Sequence, residues 1–326
     1  MGCCSDVAAL TKGNVMAGVL FGSNRHLVRA ENLQALYAAY DGRKEFIYLS
    51  ERSSKYFGGN FGVLVADDFP QKSPGKAIMV GHGICGGKRF GLDQPSGYHK
   101  PEYAKLLDYA IATSEETIDI VAKQSGISPD KVLPLGMPRT DQYFGKKKGD
   151  GGTYAAYKRT YLYVPTFRNP RLDSPLPVLD FKLIDDMLTD DELFVVKMHV
   201  LSKGAIPYNE YKHIREELNA RPSAKLLIDS DVIITDYSSI MFDAQLLGKP
   251  LILFDRDMNY LKTRGMYYKY PDEYCGRWCN NERDLIEMAR AAHDMTDADR
   301  ACIKRVAGRC DGHSTERIIN LIRSLA

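Results

Sequence analysis

The chain has 326 residues, 44% of them hydrophobic and 26% charged, enough apolar content for two cores of domain size. Its 44 basic and 42 acidic side chains nearly cancel at +2, so no global field points to a nucleic acid and any attraction to anions must be local. The seven cysteines form an odd set without a CxxC pair, which argues against a disulfide framework, and the spacings among Cys275, Cys279, Cys302 and Cys310 fit no common zinc pattern.

The start MGCCSD carries Asp6 where a myristoylation signal needs Ser or Thr, so it reads as an ordinary terminus. The apolar run Val15 to Phe21 is too short to span a bilayer and no cleavage-site pattern follows it, so the chain is expected to stay in the cytoplasm with reduced thiols. From there, short β-branched runs alternate with longer helical patterns, which predicts an α/β fold with parallel sheets. Strands are expected at Val15 to Phe21, Phe46 to Leu49, Gly62 to Ala66, Ala77 to Val80, Tyr109 to Thr113 and Lys131 to Leu135. A helix follows the fifth of these, opened by Ser114 and closed by Gly126. The segment GKKKGDGG at Gly145 to Gly152 has no apolar residue and reads as a solvated hinge. It divides the chain into residues 1–147 and residues 148–326, leaving room for a C-terminal helix to pack back on the first part. Beyond it, strands are expected at Tyr161 to Val164, Leu193 to Lys197 and near Lys225 to Ile228. A compact β-α-β unit follows, with a strand Val232 to Thr235, a helix Ile240 to Leu247 and a strand Pro250 to Phe254.

Open α/β sheets bind ligands beyond the carboxyl ends of their strands, so the polar clusters placed there are the candidate site. Ser238 and Ser239 in TDYSS stand where a strand meets a helix, and their hydroxyls and amides either cradle an anion or simply cap the helix, with Asp236 a second capping group. Thr166 and Arg168 in PTFR offer a hydroxyl and a planar fork to phosphate oxygens. Lys197 and His199 alternate at the end of an apolar strand, placing a cation and an imidazole on one side. His82 lies between Gly81 and Gly83, uncrowded, and is the candidate general base of the first half. Lys88 and Arg89 in the glycine-rich loop after it either meet an anionic acceptor or form a solvated pair.

Taken in order, these clusters resemble the CDP-glycerol glycerophosphotransferase family that builds teichoic acids and related polymers. The resemblance rests on the HG at His82, LGMPRTDQYF at Leu135 to Phe144, YVPTFRNP at Tyr163 to Pro170 and KMH at Lys197 to His199. It continues through the long segment Asp229 to Asp257, RGMYYKY at Arg264 to Tyr270 and DGHSTERI at Asp311 to Ile318, covering roughly the last three quarters of the chain. It implies two Rossmann-like domains facing a central cleft, a GT-B-like architecture, with the donor on the second domain and the acceptor on the first. It further implies donor phosphate contacts at Thr166, Ser238 and Ser239, assistance from Arg168, two functional histidines at His82 and His199, and lesser candidates at Asp243 and Arg264. The sequence departs from the family in having Gly81 where an aromatic residue precedes the HG and Val200 where a proline follows the KxH.

The reaction so implied is attack by an acceptor hydroxyl on the distal phosphorus of a CDP-linked polyol, glycerol above all, with CMP leaving. No cofactor and no metal are expected. The acceptor is a lipid-linked or polymeric polyol or sugar, with peripheral contact at the inner face of the cell membrane inferred from acceptor type and no nucleic acid as partner. A nucleotide-sugar glycosyltransferase or epimerase on the same frame is the enzymatic alternative, and a silent assembly module the non-enzymatic one.

Overall fold

The computed structural model describes residues 17–25, 27, 30–50, 60–89, 101–150, 154, 156–166, 179–198, 210–217, 223–256, 265–292 and 294–326. Its first half comprises β1 (Gly18–Ser23), α1 (Glu31–Ala39), β2 (Lys44–Tyr48), β3 (Phe61–Ala66), β4 (Lys76–Met79), α2 (Pro101–Ala104), β5 (Tyr109–Ala112), α3 (Ile118–Ser125) and β6 (Val132–Pro134). All pairings are parallel and the strand order is β2-β1-β3-β4-β5-β6. A 3-10 turn at Pro138–Tyr143 follows.

The second half contains β7 (Arg159–Tyr163), α4 (Phe181–Met187), β8 (Glu192–Val196), β9 (Ile214–Glu216), α5 (Ser223–Asp229), β10 (Val232–Thr235), α6 (Ile240–Leu246), β11 (Leu251–Phe254) and β12 (Arg277–Cys279). Three helices close the chain: α7 (Glu282–Arg290), α8 (Asp297–Ala307) and α9 (Ser314–Leu325). The second sheet is also parallel, in the order β12-β11-β10-β7-β8-β9. Buried parallel strands explain the near-continuous apolar runs: β1, β8, β10 and β11 are buried at every position.

Several sequence expectations are corrected. The strand expected near Lys225 to Ile228 is helix α5, because SAKLLID is made largely of good helix formers and a short apolar run does not by itself distinguish a buried strand from a buried helix. Helix α3 begins later than expected, with Thr117 as its N-cap residue. Ser114 instead exchanges hydrogen bonds with Thr117 and donates its hydroxyl to the Arg305 carbonyl at 2.5 Å, tying the turn to α8. Gly126 does close α3, with φ of 71°. The basic segment expected as a solvated hinge is docked at Lys148, whose ammonium lies 2.6 Å from Asp231 beside β10, and at Gly149, whose amide donates to Asp229.

Cys275 and Cys302, expected as reduced thiols, are paired as a disulfide with Cα atoms 5.8 Å apart. The Gly276 amide donates to Asp299 at 2.7 Å, holding the segment before β12 against α8, a juxtaposition of which residue counts carry no trace. Cys279 and Cys310 remain free, and burial pushes both thiols up to about 12, so they stay protonated. Among the described residues no helix is long and apolar enough to cross a membrane.

Helix α9 crosses back to the first sheet. Its Ile318, Ile319 and Ile322 are buried in one cluster with Val19 and Phe21 of β1, Leu33 and Leu36 of α1, and Val63 and Val65 of β3. Ile322 is fully buried, so Ile322→Ala removes packed methyl groups and leaves a void. We expect a loss of about 2–5 kcal/mol of unfolding free energy, read by chemical denaturation with an unchanged m-value.

Candidate active site

The order of the second sheet, with β7 first in sequence and β10 fourth, is 3-2-1-4-5-6, so its topological switch point falls between β7 and β10. Thr166 follows β7 there, and Asp236, Ser238 and Ser239 follow β10. The Asp236 carboxylate accepts from the Thr166 amide at 2.9 Å and from the Tyr237 amide at 2.7 Å, stitching the two loops together while itself 2% exposed. Thr235 adds a hydroxyl bond to the Val164 carbonyl at 2.6 Å. Asp236 is thus a brace between the two loops. Tyr237 beneath them is buried and bonded to Asp255, both of which push its phenol far above the ordinary value.

Ser239 occupies the N-cap position of α6, yet its side chain makes no capping hydrogen bond. The carbonyls of Ser238 and Ser239 accept from Met241 and Phe242, while the amides of Ser238, Ser239 and Ile240 donate to no acceptor among the described residues. Three amides at a strand-to-helix turn with two hydroxyls beside them form a cradle of hydrogen-bond donors, the chemistry that an anion requires. Lys197 follows β8, 7% exposed, its amide bonded to the Tyr163 carbonyl. Arg168, His199 and Arg264 lie outside the described residues.

The loop that carries His82 reaches the head of α6 from the other sheet through Gly83. Gly81 takes φ of 66°, a conformation that turns the chain at the end of β4 and that other residues adopt at a cost. Gly83 meets α6 so closely that a Cβ there would lie 3.1 Å from the Ser239 hydroxyl. The histidine loop and the serine-bearing helix start therefore meet between the two sheets. The His82 side chain is 28% exposed, with Nδ1 3.7 Å from Asp67 Oδ2 and Nε2 3.9 Å from Asp68 Oδ2, both beyond hydrogen-bond reach. Asp67 is held by the Ser23 hydroxyl at 2.9 Å and Asp68 by the Asn24 amide at 3.2 Å.

In the loop after His82, Lys88 is half-buried and Arg89 exposed, and both are tied to the second half of the chain. Lys88 bridges to Met266 through the backbone, and the Arg89 guanidinium donates to the Met266 carbonyl at 3.0 Å. The Tyr274 hydroxyl donates to the carbonyl of Gly86 at 3.0 Å, so this loop is a seam between the halves.

Asp243 is a buried structural partner. Fully buried in α6, it accepts from Arg139 Nη2 at 2.8 Å and from the Tyr143 hydroxyl at 2.9 Å. Burial opposes the Arg139 charge, but Asp243, Tyr143 and Glu31 together hold its pKa above the ordinary value. The Arg139 amide donates to Asn32 Oδ1 at 3.1 Å, and Asn32 Nδ2 donates to the Gly81 carbonyl at 3.0 Å. A chain of buried contacts thus runs from α6 to the residue before His82. Sequence reasoning missed Asp67, Asn32 and Arg139, although Asp67 obeys the rule that polar residues just beyond a strand's carboxyl end merit attention. Among the described residues no group of three or more His, Cys, Asp or Glu side chains is placed to hold a metal ion.

Removing the acid alone leaves the guanidinium buried without its partner. Asp243→Ala is expected to cost about 3–5 kcal/mol of stability. Urea unfolding of the variant beside the parent measures it.

Residues 26–324 match the family described as CDP-Glycerol:Poly(glycerophosphate) glycerophosphotransferase. The teichoic acid glycerol-phosphate primase of Bacillus subtilis is 28% identical over 295 residues, covering 86% of this chain and 76% of that protein. The teichoic acid poly(ribitol-phosphate) polymerase of Bacillus spizizenii is 28% identical over 326 aligned positions, which cover 91% of this chain but only 52% of the relative. In fold, the chain is similar to the wall teichoic acid polymerase TagF, with a TM-score of 0.76 at 20% identity over 94% of this chain and 88% of that one. It is also similar to a putative UDP-N-acetylglucosamine 2-epimerase from Listeria monocytogenes, with a TM-score of 0.60 at 13% identity over 94% and 96%. Two parallel Rossmann-like sheets meeting at one cleft, with the family match spanning nearly the whole length, place the chain in the CDP-glycerol:poly(glycerophosphate) glycerophosphotransferase family.

Proposed function

We propose that the chain transfers a polyol phosphate, glycerol phosphate first among them, from a CDP-activated donor to a hydroxyl of a teichoic-acid-like polymer or its lipid-linked precursor, releasing CMP. The observation that carries this reading is the approach of Gly83 to the Ser239 hydroxyl, which sets the His82 loop against the amide cradle at the head of α6. A base and an anion site across one cleft are what transfer between a hydroxyl and a diphosphate needs.

In the proposed step the acceptor oxygen forms a bond to the phosphorus distal to the cytidine, and His82 takes the hydroxyl proton. The bond from that phosphorus to the bridging oxygen breaks, and the electron pair leaves with CMP. The amides of Ser238, Ser239 and Ile240 and the hydroxyls of Thr166, Ser238 and Ser239 hold the diphosphate. Lys197 adds a positive charge, with His199 and Arg168 as further donor-side groups. The reaction draws on no cofactor in this reading, and positioning and charge stabilisation supply the rate. Contact with the inner face of the membrane is part of the proposal through the lipid-linked acceptor.

His82→Ala is expected to reduce CMP release from CDP-glycerol by at least about 100-fold, the contribution typical of a positioned general base, while calorimetry shows donor binding intact. Normal turnover by this variant would refute the assigned base. Ser239→Ala removes only one hydroxyl and is expected to weaken donor binding by about 3–10-fold, a loss on the scale of one net hydrogen bond. A panel of CDP-glycerol, CDP-ribitol and UDP-sugars, scored by thermal stabilisation of the unmodified chain, separates this reading from the nucleotide-sugar chemistry of the epimerase-like frame.

A further inference from the structure

The first sheet has its own topological switch point, which the donor side does not use. Its order places β1 between β2 and β3, so the crevice opens beyond the carboxyl ends of β1 and β3, at Ser23 and Asp67. A cavity of about 190 Å³ lies there, lined by Arg25, Glu31, Asn32, Asp67, Gly81 and His82. It is smaller than the pockets of about 300–1,000 Å³ that enclose drug-sized ligands, so it suits one terminal unit of a polymer rather than a nucleotide.

The chemistry of its wall is specific. Asp67 is 4% exposed, and Oδ2 takes the Ser23 hydroxyl, while Oδ1 is buried with no hydrogen-bond partner among the described residues. His82 Nδ1, beside it, is likewise buried without one. A buried carboxylate oxygen left without a donor is costly, and such groups ordinarily find a partner. Among the other charges, Glu31 is shared with Arg139 at 3.6 Å, and Arg25 is exposed at the mouth. Among the described residues the group left without a donor is a carboxylate oxygen, a hydrogen-bond acceptor. It attracts hydroxyls and repels phosphate.

We infer that this cavity is the acceptor subsite, and that it seats the neutral, hydroxyl-bearing end of a polyol chain, with Asp67 Oδ1 accepting a hydroxyl next to the one His82 deprotonates. The inference rests on the transfer reading above. The first phosphodiester of the acceptor then lies outward, toward Arg25. A carboxylate here also keeps the donor's diphosphate out of the acceptor side, so the two substrates sort by charge.

The test uses the whole chain, CDP-glycerol as donor and short synthetic oligo(glycerol phosphate) acceptors ending in a free diol. Donor affinity is read separately by calorimetry without acceptor. Asp67→Asn is expected to raise the acceptor KM about ten-fold or more, the loss of one hydrogen bond to a charged group, with CDP-glycerol affinity unchanged. A second arm needs no variant and so survives a folding defect. An oligomer whose end keeps the secondary hydroxyl but lacks the primary one is expected to compete with the acceptor, and its phosphate-ended counterpart is not, even at about ten-fold higher concentration. An Asp67→Asn variant with lowered kcat and unaltered acceptor KM, or equal competition by the phosphate-ended oligomer, overturns the subsite. Failure of the unmodified chain to bind CDP-glycerol overturns the transfer reading and the subsite with it, a result distinct from either of those.

Discussion

The buried pair between Arg139 and Asp243 fixes how the two sheets face each other. Arg139 sits in the 3-10 turn after the first sheet and Asp243 in the helix that follows the two serines, so the pair joins the two halves at 2.8 Å. Buried ion pairs are poor sources of net stability, because two desolvated charges regain little more than they lose. Their value lies in geometry, since only one arrangement satisfies both groups. Here Tyr143 takes the second carboxylate oxygen and the Arg139 amide fixes Asn32, whose own amide holds the Gly81 carbonyl. A displacement of α6 is therefore felt at the peptide before His82. The hydrogen-bond chain thus adds to the direct packing of Gly83 on Ser239 in tying the His82 loop to the head of α6.

The same logic explains the division of labour between the sheets. Each has a carboxylate at a strand-order reversal, where adjacent loops part and leave a crevice, Asp67 after β3 and Asp236 after β10, with His82 one strand further on after β4. In the second sheet the crevice is braced by Asp236, which uses its carboxylate to hold two backbone amides and so offers little free charge to a ligand. What remains exposed to the cleft is amide and hydroxyl, complementary to phosphate. In the first sheet the brace is the Ser23 hydroxyl, which leaves one carboxylate oxygen of Asp67 uncommitted. One crevice presents donors and the other an acceptor.

Much of this frame was legible in the amino-acid sequence, and the parts that were not share a physical cause. The strand Val232 to Thr235 falls where its apolar run predicts and α6 ends one residue short of expectation, because a buried parallel strand followed by a short crossover helix is written in local composition. The clusters after β4, β7 and β10 were readable because polar residues following an apolar strand are conspicuous. Helix α5 was misread because four apolar or ambivalent residues carry no period. Asp67 and Asp68 were passed over because two acids after a strand look like an ordinary solvated turn, and only burial against Ser23 and His82 distinguishes Asp67 from one. Asn32, 107 positions from Arg139, and Asp243, 104 positions beyond that, form a relay whose members each read locally as a helix residue or a turn.

Gly81 stands where the family carries an aromatic residue, and its φ of 66° is one that a bulky side chain adopts only with strain. A Cβ placed at this point would meet nothing within 4 Å, so the space beside the His82 loop is open here. The Gly81 carbonyl is also the group that Asn32 holds, so the departure from the family pattern and the relay from α6 converge on one peptide. The contacts that run from α6 through Arg139 and Asn32 thus end on the peptide from which the His82 loop departs, and they hold that loop where the glycine by itself would leave it free to turn.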